Sequence, residues 1–212
     1  MKKIAILLVM VLAASAQGED IWDPPWVENP SDPQWAGGAT TYQRWEFSEN
    51  QSNPVAVDNI FGTPLVGFQN ASYPDDVVGP DGNTTIPTWH IDQDGGSMTI
   101  FVPNNPLPNA QKIIFIQITS DKGAELGSPT SNPPGSVSYP KPAIKHGNTP
   151  WYTYTAQIDI PFNPPNESIT YTFPESTNIS EVVVDTICVP EPAALGWLLF
   201  AGGAMLRCRR LS

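Results

Sequence analysis

The sequence predicts an all-β protein, a two-sheet β-sandwich. Three observations lead there. Between residues 17 and 188, short runs of alternating apolar and polar residues recur, bounded by Gly, Pro, Asn or Asp. No stretch before residue 193 carries the 3.6-residue apolar period of a helix. Proline makes up 24 of the 212 residues, which cuts the chain into lengths that suit strands joined by turns.

The elements follow in order. Residues 1–16 carry Lys2 and Lys3, an apolar run over 4–14, and Ala14-Ser15-Ala16. That is the layout of a secretory signal peptide, cleaved between Ala16 and Gln17, and its apolar run is short for a membrane span. Residues 17–188 form the exported domain. Its leader, residues 17–38, sets Trp22, Trp26 and Trp35 among Pro24, Pro25, Pro30 and Pro33, and is expected to be extended. Those tryptophans either clasp the sandwich or form an aromatic platform for a ligand.

A first strand is expected over residues 40–47, with Tyr42, Arg44 and Glu46 on one face and Thr41, Gln43, Trp45 and Phe47 on the other. A loop over 48–59 and a turn through Gly62 lead to a short strand at 65–69, continuing over 71–74. Residues 75–84 read as a turn around Asp81-Gly82. Strands at 85–91 and 97–102 flank a tight turn at 92–96. The strand at 112–120 has apolar residues on both faces of its first half, which marks it as central. Residues 121–148 are polar and proline-broken, with a short strand at 136–139; a stretch this long without regular structure is often functional. Residues 151–160 alternate cleanly. Strands at 168–173 and 181–188 close the domain.

The domain holds five basic and twenty acidic residues, a net charge near −15. That excludes nucleic acid as a partner, because phosphates need a basic footprint. It suits solubility outside the cell, or divalent cations. Cys188 is the domain's single cysteine, so no disulfide can form within it. His90 and His146 lack ligands at zinc spacing, and neither a nucleophile elbow nor a phosphate loop occurs. Calcium is the best metal candidate. Asp75, Asp76, Asp81 and Asn83 form one oxygen-rich cluster, and Asp92 and Asp94 with the Gly95 backbone another. The competing reading is a pair of ordinary hairpin turns. Glycoside hydrolysis needs two carboxylates across a cleft, and twenty acidic residues single out no pair.

Residues 189–212 carry the sharpest signal. Val189-Pro190-Glu191-Pro192 is expected to stay extended and accessible, because proline resists regular structure. Residues 193–206 are uncharged and apolar, and Arg207, Arg209 and Arg210 follow with Cys208 among them. Fourteen residues of helix cover about 21 Å, short of a hydrocarbon layer of about 30 Å, and the arginines act as a stop on the inner side.

These three parts, in this order, resemble the PEP-CTERM sorting signal of Gram-negative bacteria that make extracellular polysaccharide. The resemblance covers only the tail. It implies handling by a membrane-embedded exosortase after passage through the secretion translocon, with Val189, Pro190, Glu191 and Pro192 as the sorting and cleavage motif. It implies transient anchoring in the inner membrane, then a surface or extracellular location. The opening and closing strands also look like secreted jelly-roll domains of the carbohydrate-binding type. The expected function is an exported, non-catalytic surface or matrix protein that binds extracellular polysaccharide. The alternatives are a secreted polysaccharide hydrolase and a self-associating structural subunit.

Overall fold

The computed structural model describes residues 21–35, 37–47, 52–104, 110–122 and 126–190. The signal-peptide segment 1–16 and residues 191–212 of the 189–212 tail lie outside the described residues, Glu191, Pro192, Arg207, Arg209 and Arg210 among them.

Thirteen strands are described: β1 (Ala39–Glu46), β2 (Ala56–Asp58), β3 (Leu65–Gln69), β4 (Ala71–Val78), β5 (Thr85–Ile91), β6 (Gly96–Pro103), β7 (Ala110–Ser120), β8 (Thr130–Asn132), β9 (Ser136–Ser138), β10 (Ile144–Lys145), β11 (Tyr152–Ile160), β12 (Asn166–Phe173) and β13 (Asn178–Pro190). They build two sheets. The larger has nine strands in the order β10-β11-β7-β13-β1-β2, with β9 on β11 and the β4–β5 hairpin on β13. The smaller runs β3-β6-β12-β8.

The fold is therefore all-β and two-layered, as the alternation predicts. In β6, Met98, Ile100 and Val102 are buried while Thr99 and Phe101 are exposed. These residues meet Ile114, Ile116 and Ile118 of β7 and Val182 and Val184 of β13 in one core between the sheets. β7 is central, held by β11 on one side and β13 on the other. Its second apolar face is also buried: Ile113 and Phe115, with Ile187 and Val189 of β13, lie under Trp26.

Several boundaries differ from expectation. The leader is not wholly extended: Pro25–Glu28 forms a four-residue helix, α1, with proline at a first-turn position where its missing N–H costs nothing. Pro33–Trp35 is a 3₁₀ turn. The 48–59 loop contains β2, paired to β1. β3 and β4 are separate strands in different sheets, because Asn70 takes a φ of 53° between them. Asp75 and Asp76 belong to β4, opposite Thr88 and Pro87, so the turn shrinks to the residues around Asp81-Gly82. The long polar region pins itself to both sheets through β8, β9 and β10. β13 runs on to Pro190, with Val189 opposite Gln111 and Pro190 opposite Ala110. The first two residues of the Val-Pro-Glu-Pro motif are thus held in a ladder, and Val189 is buried.

Candidate functional site

The alternation that builds the core also carries a lysine into it. Lys112 shares the inward face of β7 with Ile114, Ile116 and Ile118, and is 0% exposed. Glu167 shares the inward face of β12 with Ile169, Tyr171 and Phe173, and is also 0% exposed. The two meet at one end of the sandwich, with Lys112 Nζ 3.3 Å from Glu167 Oε1.

The remaining partners arrive from three segments. Thr186 and Cys188 come from β13, where Cys188 lies opposite Lys112. Asn104 follows β6, and Asn163 lies between β11 and β12. Lys112 Nζ donates to Thr186 Oγ1 at 2.6 Å and to Asn104 Oδ1 at 2.9 Å, and lies 3.7 Å from Cys188 Sγ. The Cys188 thiol is 3.1 Å from Asn104 Oδ1 and 3.3 Å from Asn163 Oδ1. Asn104 Nδ2 donates to the Pro164 carbonyl at 3.0 Å and to Asn163 Oδ1. The network continues along the same face through the Thr186–Thr41 hydroxyl pair at 2.7 Å and Gln43, which donates to the Val184 carbonyl.

Beyond the Lys112 contact, neither oxygen of Glu167 has a hydrogen-bond partner. Burial pushes its carboxyl up to about 7, against the pull of the Lys112 charge and hydrogen bond. Burial likewise pushes the Cys188 thiol up, again opposed by Lys112. A buried ion pair seldom recovers the full cost of its desolvation, so this centre is not explained by stability alone. Its amine, carboxyl, thiol and carboxamides face one another rather than an open cleft. Chemistry here would act within the chain.

The residues singled out from sequence are placed as follows. Asp81 caps its own turn, accepting from the Asn83 and Thr84 amides at 2.9 Å each and from the Thr84 hydroxyl at 2.5 Å. The Thr84 hydroxyl and amide, with the Asn83 amide, lower its pKa. Asp75 lies on the strand, 3.4 Å from His90 Nδ1. Among the described residues, no three His, Cys, Asp or Glu side chains are grouped where they could hold a metal ion; the expected calcium clusters also draw on Asn83 and the Gly95 backbone, which lie outside that set. Asp75 and Asp76 lie on β4, and Asp81 and Asn83 lie in the turn that follows it. Asp92 and Asp94 sit in the β5–β6 turn, where the Asp92 carbonyl accepts from Gly95.

Trp22, Trp26 and Trp35 do come together, as a cover over β7 and β13. Trp26 is buried and meets Trp35 edge to face at 6.0 Å. Its ring is therefore not part of an open ligand platform; Trp22 and Trp35 are half-buried. Gln117 sews the Trp22 backbone to the sheet with bonds of 3.0 and 2.9 Å. His90 lies within hydrogen-bond distance of Asn178 Oδ1. His146 is half-buried: its ring meets Thr153 Oγ1 at 2.9 Å, and burial lowers its pKa.

No family model, curated protein or solved structure matches this chain. Among the open clefts, one of about 320 Å³ is lined by Arg44, Glu46, Phe47, Pro87 and Glu181. Its two carboxylates, Glu46 and Glu181, are both paired to Arg44. The lysine centre went unnoticed in the sequence. Its signal was present, since Lys112 and Glu167 each occupy an inward position of an apolar alternation.

Proposed function

We propose that this chain is an exported, non-catalytic surface or extracellular-matrix protein, sent out by residues 1–16 and sorted through residues 189–212 by an exosortase-type membrane protease. The carrying observation is the order of three parts in the tail: Val189-Pro190-Glu191-Pro192, the uncharged apolar run at 193–206, and Arg207, Arg209 and Arg210. Each part has a physical task. The apolar run enters the bilayer as a helix, the conformation that satisfies its backbone there. The arginines resist crossing and halt export. Glu191 gives the protease a single charge to recognise.

The finer parts of the proposal are a jelly-roll type of sandwich and a polysaccharide ligand. The first is supported by the terminal strands β1 and β13 lying side by side through eight residue pairs. For the second, Trp22 and Trp35 are the half-buried aromatic faces of the leader.

The deciding experiment changes Glu191 to Ala and follows the protein by fractionation with an antibody to the domain. The expected outcome is an uncleaved precursor in the inner membrane. Processing and localisation like the parent would refute the sorting role of the tail.

A further inference from the structure

The lysine centre brings together the parts of an acyl-transfer reaction. A primary amine and a carboxamide do not exchange in water at a useful rate. Here Lys112 Nζ lies 2.9 Å from the side-chain carbonyl oxygen of Asn104, and both residues are buried. Fixing two reactants in contact removes most of the entropic barrier between them. The reaction also needs a base beside the amine, a donor on the carbonyl oxygen and a held leaving group. Glu167 Oε1 is 3.3 Å from Nζ, and beyond Lys112 its carboxylate has no hydrogen-bond partner. The Cys188 thiol donates to Asn104 Oδ1 at 3.1 Å. Asn104 Nδ2 is held by the Pro164 carbonyl at 3.0 Å and by Asn163 Oδ1. Closure of the two sheets over the site keeps out water, which would otherwise compete for the carbonyl.

We propose that Lys112 and Asn104 join in an intramolecular amide bond formed once, inside the folded domain, with Glu167 carrying the proton. Glu167 takes a proton from the Lys112 ammonium. The freed lone pair attacks Cγ of Asn104, and the new Nζ–Cγ bond forms as charge moves to Oδ1 under the Cys188 hydrogen bond. The Cγ–Nδ2 bond then breaks. Nδ2 leaves as ammonia with a proton delivered by Glu167, and Glu167 takes the second proton from Nζ. Two protons leave Nζ in all: one departs with ammonia and one stays on Glu167. Neither water nor an oxidant is consumed. The buried ion pair becomes a neutral amide beside a neutral acid, which relieves the desolvation cost of both charges. The link ties the end of β6 to the start of β7, and so joins the smaller sheet to the larger where the chain crosses between them. It does not depend on the export reading.

The test is a tryptic digest of the purified, folded full-length chain, denatured before digestion and read by mass spectrometry. Trypsin cuts after Arg44, Lys112 and Lys122, and an acylated Lys112 is not cut. The expected product is one peptide spanning 45–122, lighter by the mass of one ammonia. Separate peptides 45–112 and 113–122 would overturn the bond, even if the first had lost ammonia, because an asparagine cyclised on its own backbone leaves Lys112 open to trypsin. A branched product joining Lys112 to the 146–207 peptide would move the acceptor to Asn163 and overturn the assignment to Asn104. Glu167→Gln keeps the shape and removes the proton carrier. Folded variant chains should show the linked peptide reduced at least about tenfold. A variant as fully linked as the parent would remove Glu167 from the mechanism. The parent digest decides whether the bond exists even if this variant fails to fold.

Discussion

Glu167 is a carboxyl in an apolar stripe, and that position sets how stability responds to pH. Burial raises its folded pKa to about 7, above the ordinary glutamate value of 4.5. Between those values the folded state holds a proton that the unfolded state has released. Stability therefore falls as pH rises from about 4.5 to about 7, and the loss is complete above that. The span corresponds to about 3 kcal/mol, as an order of magnitude. Glu167→Gln removes the titration, so its melting temperature should change less than the parent's across this window. Melting curves at pH 5, 6 and 7 (set near the window, about where a carboxyl of this kind titrates) check the sign. A parent that gains stability over this range relative to the variant would contradict the raised pKa.

Among the strands, β6 opens on a glycine for a steric reason. A Cβ at Gly96 would meet the Gln69 carbonyl oxygen at 2.5 Å and the Asn70 oxygen at 2.9 Å, both backbone atoms that cannot rotate away. Gly67, on β3 of the same sheet, has open space at its Cβ position. Gly96→Ala should destabilise the domain by about 1–3 kcal/mol, and Gly67→Ala should stay within about 0.5 kcal/mol of the parent. Urea unfolding of the two variants measures the contrast. The strands also show how much was legible in the sequence. β3 and β5 match their expected bounds, because their alternation and flanking turns are local. β9 falls within the strand expected at 136–139, whereas β2, β8 and β10 are two or three residues long and exist because a longer neighbour offers hydrogen bonds, which no local pattern records.

At the scale of the whole molecule, the two ends of the domain meet. The leader lies over β7 and the end of β13, so Trp26 covers Ile187 and Val189, where the domain passes into the tail. Gln117 and the Lys141–Glu28 pair hold the leader in place. Trp26→Ala should cost about 3 kcal/mol, the usual scale for emptying a buried aromatic site. Hydrogen exchange should rise at Ile187 and Val189 while Ile100 and Ile116, in the core between the sheets, stay protected. Equal loss of protection in both places would mean that the leader is not a separate cover.

What the sequence determined by itself is the part written in local chemistry. Alternation with frequent prolines specified an all-β, two-sheet domain, because a strand's side chains take opposite faces whatever lies beyond it. The apolar second face of β7 announced a central strand. Only the tertiary structure decided what covers that face, which strands share a sheet, and which polar groups are sealed inside. Lys112 and Glu167 are 55 positions apart in the chain. Their alternation put each on an inward face, but only the closing of one sheet over the other brought amine and carboxyl within 3.3 Å. Sequence spacing carries no information about that distance, because it is set by which ends of two sheets come to lie against each other.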